Sequence, residues 1–250
     1  MKTIEALDIK LIALDMDGTV LNEEQEISLE NRKAIKEAID QGVHVVISTG
    51  RSLKTLQKYL DTLELSSYLV TVNGSEIWDD TGVLMERSIV QNDLIQWMWE
   101  LSKLHETNFW AISTEQVWHN ELPTDLSTSE WLKFGFHIDD DQVRETVKKQ
   151  LVENGLLEIS NSSPFNLEVN PLGINKAKGL EAVCKKLNLT MENVMAVGDS
   201  LNDIAMIREA GLGVAMGNAQ DIVKETADDI TASNVEDGVA KAIRKWVLKY

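Results

Sequence analysis

Apolar runs of strand length alternate with stretches of helical period, and this rhythm constrains the fold more than any other feature of the chain. "LIALD" (11–15) precedes "SLENRKAIKEAIDQG" (28–42), and then come "VHVVIST" (43–49), "SLKTLQKYLDTL" (52–63) and "YLVTVN" (68–73). Strands that are apolar on both faces need both faces covered, and helices linking successive parallel strands provide the cover. The first helix is predicted with Ser28 as N-cap, Leu29, Ile35, Ala38 and Ile39 on one apolar face, and Gly42 as its stop. The rhythm resumes with a helix over 175–188, a strand over 194–199, a helix from Asn202, a short strand over 211–217 and a terminal amphipathic helix. Both stretches are read as one α/β core, a Rossmann-like doubly wound parallel sheet.

Between them the texture changes. Five of the seven tryptophans (Trp97, Trp99, Trp110, Trp118 and Trp131) lie in residues 83–171, among short strands "FWAIS", "QVWHN" and "FNLEVN" and helical patterns over 91–105 and 139–154. Residues 83–171 are therefore expected to form an inserted α+β domain, joined near Thr81-Gly82 and Pro171-Leu172-Gly173, with residues 1–82 and 172–250 as the core.

Charge and composition exclude several roles. Lysine plus arginine number 24 against 41 aspartates and glutamates, a net charge of −17, the wrong sign for binding nucleic acid or an anionic membrane. An anionic substrate would need a local cation. The single cysteine, Cys184, cannot form an internal disulfide and is read as helix packing in a reducing compartment. "MKTIEALDIK" is too polar for a leader, and no run approaches the roughly 18 apolar residues of a membrane span, so a cytoplasmic location is expected.

Three strand ends carry polar residues: Asp15-Met16-Asp17-Gly18-Thr19, Ser48-Thr49-Gly50-Arg51 and Gly198-Asp199-Ser200-Leu201-Asn202-Asp203. Parallel sheets bind ligands at the carboxyl ends of their strands, so four aspartates are expected in one crevice. In extended backbone Asp15 and Asp17 point the same way, while Met16 offers its backbone N–H. Crowded carboxylates repel unless a hard cation sits among them, and such an oxygen-rich site with room for water and phosphate suits magnesium. A calcium loop fits poorly, because it wants glycine in sixth place and here glycine comes fourth. Each motif has an ordinary reading alone: a turn at Asp15, a solvated charge at Lys176, a helix cap at Asn202. Their joint order does not.

The ordered set "DMDGT", "STGR", "GINKAKGL" and "GDSLND", followed by "GVAMGNA" and "ASNVEDGVAKAI", resembles the haloacid dehalogenase superfamily, and closely its Cof-type phosphatases with a type IIB cap. The resemblance implies that Asp15 is the nucleophile of an aspartyl-phosphate and Asp17 the general acid and base. It implies that Asp15, the Asp17 backbone carbonyl and Asp199 hold Mg2+, with Ser200 close to the metal and Asp203 as a further or supporting carboxylate. Met16, Thr49, Gly50, Lys176 and Asn202 would cradle the phosphoryl oxygens. Ala177 follows Lys176 where the family often has glycine, and Ser200 stands where glycine or alanine is also common. Neither change removes a catalytic group.

The expected activity is a magnesium-dependent phosphatase acting on a small phosphorylated metabolite, a sugar phosphate or a flavin-pathway phosphate, by a monomer or homodimer. A phosphomutase of the phosphomannomutase type and a non-catalytic sensor on the same fold are the alternatives; intact Asp15 and Asp17 argue against the sensor. Arg51 either neutralises the site or pairs with a neighbouring acid, and Asn73-Gly74 is read as a turn. The four histidines, His44, His105, His119 and His137, have no metal-ligand spacing. The aromatic residues of 83–171 are read mainly as core, with Trp110, Trp118 or Trp131, beside His119 or His137, as candidates to stack on a substrate ring.

Overall fold

A computed structural model describes residues 7–249; the segment read for a leader lies largely outside them. The chain runs β1 (Leu11–Leu14), α1 (Leu29–Asp40), β2 (His44–Ser48), α2 (Leu53–Leu63), β3 (Leu69–Thr71), β4 (Glu76–Trp78), β5 (Leu84–Arg87) and α3 (Asn92–Leu104). β6 (Asn108–Ser113), β7 (Val117–His119), β8 (Trp131–His137), α4 (Asp141–Asn154), β9 (Leu157–Ser160) and β10 (Asn166–Pro171) follow. Last come α5 (Lys176–Lys186), β11 (Val194–Gly198), α6 (Ile204–Glu209), β12 (Leu212–Ala215), α7 (Asp221–Thr226), β13 (Asp229–Ile230) and α8 (Gly238–Ile243). Among the described residues no helix is long and apolar enough to cross a membrane.

The elements build two sheets. The larger has the order β13-β12-β11-β1-β2-β3-β4-β5, parallel from β13 to β3 and antiparallel at β4 and β5. Residues of β1 alternate between two cores: Ile12 and Leu14 pack with α1, α2 and α8, while Leu11 and Ala13 pack with α5 and α6. This is the doubly wound arrangement expected. The chain builds outward from β1 to β3, then returns to the other side of β1 as β11, which puts the reversal of strand order between β1 and β11.

The smaller sheet is antiparallel, ordered β7-β6-β8-β10-β9. Phe109, Ala111, Phe134, Phe136, Leu167 and Val169 face a core shared with Ile95, Met98, Val147 and Leu151 of α3 and α4. Alternation turns Trp110, Ile112, Val117, Lys133 and Glu168 the other way, into a cavity shared with Asp15 and Asp17. β8 and β9 are absent from the sequence reading, which had no alternation to work with across "WLKFGFH", where six of seven positions are buried. β5 still belongs to the large sheet, so the chain changes sheets after Arg87 rather than at Thr81-Gly82.

Helix α1 shows a smaller departure. Ser28 caps it as expected, accepting the Asn31 N–H at 3.1 Å, but Leu29 and Ile39 are exposed and the buried stripe is Asn31, Ala34, Ile35 and Ala38. Asn31 joins that stripe because its Oδ1 accepts the Ala240 N–H at 2.9 Å, which seats α8 against α1.

Candidate active site

The reversal point brings Asp15, after β1, beside Asp199, after β11. Carboxylate oxygens of Asp15, Asp199 and Asp203 all lie within 4.8 Å of one another, the grouping among the described residues that could hold a metal ion. Lys176, the first residue of α5, is fully buried, with Nζ 2.5 Å from Asp15 Oδ1 and 2.6 Å from Asp203 Oδ1. The other oxygen of Asp203 accepts the Asp199 and Ser200 backbone N–H groups at 2.9 and 3.0 Å. Asp203 thus orients both Lys176 and the turn carrying Asp199. Gly18 makes the close approach possible: its φ is +80°, and a Cβ there would lie 2.6 Å from Asp199 Oδ2.

Burial pushes the Asp15 carboxyl well above the usual carboxylate range, against Lys176 and reinforced by Asp203 and Asp199. Asp199 is pushed up to about 7 by burial and by Asp203. Burial would lower Lys176, but Asp15 and Asp203 more than offset it and hold the ammonium charged. Asp15, Asp199 and Asp203 crowd around a single ammonium, that of Lys176, so carboxylates outnumber cations in the trio and offer the oxygen donors that suit a divalent ion.

Asp17 stands apart from that trio. Its carboxylate is held by Arg51, whose Nε lies 2.7 Å from Oδ2 and Nη2 2.5 Å from Oδ1; Nη2 also reaches Gln25 at 2.5 Å, and Tyr59 lies under the guanidinium. That pair raises Arg51 above its ordinary value, and because the partner is a candidate site carboxylate the pairing and neutralising readings of Arg51 coincide.

Thr49 is fully buried, and its hydroxyl accepts the Arg51 N–H at 3.2 Å. The Met16 side chain is buried in the core beneath the site. Gly50, Ser200 and Asn202 line a cavity of about 240 Å³ that opens on Asp15 and Asp17. The Ser200 hydroxyl is 2.9 Å from Asp199 Oδ2, and Asn202 donates its side-chain amide to Asn73 at 3.3 Å and its backbone N–H to the Asn161 carbonyl at 3.0 Å. Asn73 is both the turn expected, with φ of 58°, and a buried connector, donating to Glu168 at 2.7 Å and Asn170 at 3.2 Å.

Several contributors escaped the sequence reading. Thr19 donates to Asp199 Oδ1 at 2.9 Å. Lys133 of β8, almost wholly buried, donates to the Gly50 carbonyl at 2.9 Å and pairs with Glu168 of β10 at 3.1 Å. Glu168 is held below its ordinary value because Lys133, Asn73 and Ser162 outweigh its burial. A lone charge inside each apolar strand, in "WLKFGFH" and "NLEVN", is the signal that would have found the pair. Of the aromatic candidates, Trp131 is fully buried with its N–H on the Leu126 carbonyl, and Trp118 packs on Trp131. His119 and His137 are exposed. Trp110 lines the cavity.

The family model of the haloacid dehalogenase-like hydrolases matches residues 12–140 and 122–243. The 5-amino-6-(5-phospho-D-ribitylamino)uracil phosphatase YcsE of Bacillus subtilis is 64% identical over 244 residues, covering 98% of each chain. The phosphoglycolate phosphatase of Methanobrevibacter smithii is 30% identical over 258 residues, covering 97% of this chain and 100% of its own. Among solved structures, a haloacid dehalogenase-like hydrolase from B. subtilis superposes with a TM-score of 0.88 at 26% identity, covering 94% of this chain and 99% of its own.

Proposed function

The chain belongs to the haloacid dehalogenase-like hydrolases and is a phosphoric monoester hydrolase; on that premise we propose that its substrate is 5-amino-6-(5-phospho-D-ribitylamino)uracil, a flavin-pathway phosphate. The observation that carries the reading is the 64% identity, spread over 98% of both chains, to a phosphatase of that name. A relative at 30% identity carries a different substrate in its name, so the family alone does not select one.

Asp15 is the nucleophile. Its carboxylate oxygen attacks phosphorus, the bond from phosphorus to the ester oxygen breaks, and Asp17 delivers a proton to the departing alcohol. Water then attacks the phosphorus of the aspartyl-phosphate, Asp17 takes a proton from it, and the bond from phosphorus to the Asp15 oxygen breaks to release inorganic phosphate. Lys176 holds Asp15 in line and, with the amides of Met16 and Gly50, the Thr49 hydroxyl and Asn202, offers donors for the phosphoryl oxygens. Arg51 holds both Asp17 oxygens in the structure, so Asp17 releases one of them from that pair to give and take the protons. The crowded, charge-deficient carboxylates suit Mg2+ held by Asp15, Asp199 and the Asp17 carbonyl, beside Ser200 and supported by Asp203, where the ion would neutralise charge on the phosphoryl oxygens. Residues 88–171 serve as the lid, excluding water and contacting the leaving group.

Phosphate release from 5-amino-6-(5-phospho-D-ribitylamino)uracil by the purified protein with Mg2+ tests the substrate. We expect kcat/KM at least about tenfold above that for hexose 6-phosphates or phosphoglycolate. Equal or lower values would remove the substrate assignment.

A further inference from the structure

The inward face of the small sheet is divided. On β8 and β10 the polar residues are engaged with the large-sheet half: Lys133 with the Gly50 carbonyl, Glu168 with Asn73, and Asn170 with the Val72 carbonyl at 2.9 Å. On β6 and β7, Trp110, Ile112 and Val117 line the cavity and make no such polar contact among the described residues. The polar half fastens the sheet to the core. The apolar half packs on Val72 through buried Ile112, with Trp110 and Val117 beside it only partly buried and lining the cavity.

Trp110 has an unusual seat in this half. Gly135 lies opposite it on β8, and a Cβ at Gly135 would sit 2.2, 2.3 and 2.7 Å from three atoms of the six-membered ring of the indole. Those near-equal distances put the glycine over the ring face, so the indole lies flat on bare backbone and its plane is fixed. No acceptor among the described residues meets the indole N–H, and the side chain is only half-buried. Asp15, Asp17 and this rigid aromatic face line the same cavity, an arrangement suited to a ligand that carries both a phosphate and a planar ring.

We propose that Trp110 is the residue that determines specificity for the leaving group, by stacking on a planar heterocycle at the far end of a phosphorylated open-chain polyol. The proposal rests on the phosphatase reading and deepens it by naming the residue that recognises the ring. It also accounts for Gly135, since any side chain there would lift the indole off the sheet.

The test compares two esters with the same ribityl phosphate end: 5-amino-6-(5-phospho-D-ribitylamino)uracil and D-ribitol 5-phosphate, which lacks the ring. In Trp110→Leu the ratio of kcat/KM for the ring-bearing ester to that for ribitol 5-phosphate should fall by about ten- to hundredfold from the wild-type ratio. Trp110→Phe, which keeps a smaller aromatic face, should retain most of the ratio. Melting temperatures accompany both variants, because the ratio is insensitive to a loss of folded enzyme. A wild-type preference for the ring-bearing ester that survives in Trp110→Leu overturns the stacking proposal alone. Failure of the wild type to hydrolyse the ring-bearing ester, with ribitol 5-phosphate hydrolysed, overturns the substrate assignment and the stacking together. Failure on both esters overturns the substrate class.

Discussion

The two sheets place their chemistry differently. In the large sheet both faces are covered by helices, so polar groups gather where the parallel strands end, and Asp15 and Asp199 meet at the reversal between β1 and β11. The small sheet has helices on one face alone, and residues that line the cavity stand on the other, among them Trp110, Lys133 and Glu168, one from each of three strands. A buried parallel sheet offers its edge of strand ends, and a half-covered antiparallel sheet offers a surface. On the proposed function, reaction chemistry sits at the first and substrate recognition on the second.

That division of labour can be broken by experiment. The largest effect belongs to Asp15→Asn, which should cost about a thousandfold or more in kcat with the circular dichroism spectrum preserved, since on the proposed mechanism it removes the nucleophile; near-normal turnover would end the aspartyl-phosphate mechanism. Asp17→Asn should cost about a hundredfold to ten-thousandfold in kcat through loss of the acid and base. A loss confined to KM would instead make Asp17 a binding group.

On the small sheet the damage should appear first as stability. Lys133→Met leaves the Glu168 charge buried without its cation and should cost about 3–5 kcal/mol, read by denaturant unfolding. Lys178→Ala, which breaks an exposed pair with Glu181 of similar length, should cost well under about 1 kcal/mol. Similar costs for the two would show that the Lys133 to Glu168 pair is not buried as described.

The smallest effect sharpens the other side. With Asp199 at about 7 in the cation-free fold, against the usual 3.8, the folded chain keeps a proton between those pH values that the unfolded chain has lost. Folding without a cation therefore weakens as pH rises through that window, and a divalent ion that takes the proton's place should raise the melting temperature more at pH 7.5 than at pH 5.5. We expect the two increments to differ by a few degrees. Equal increments would place the ion elsewhere.

The same contrast explains what was legible in the sequence. Strand-end residues are contiguous in the chain, so "DMDGT", "STGR" and "GDSLND" could be read together and set in one crevice. Lys133 and Glu168 are 35 positions apart and meet because β8 and β10 pair in register, with Gly135 opposite Glu168. No local pattern carries that pairing. Asn31 was hidden for a related reason: its partner, the Ala240 N–H, lies at the far end of the chain. Thr19 sat within a motif already quoted, but a threonine after a glycine turn reads as a turn until Asp199 is placed beside it.

The position of β1 in the large sheet also sets an order in time. Its neighbour β2 is synthesised soon after it, but the neighbour on its other side, β11, begins only at Val194, after the whole small sheet has been synthesised. Every strand pairing of the small sheet is internal to residues 108–171, so those partners are all present while β1 still has an open side. Asp15 is therefore held by Lys176 and joined by Asp199 late in synthesis, and an incomplete chain carries Asp15 without the neighbours that surround it in the finished fold.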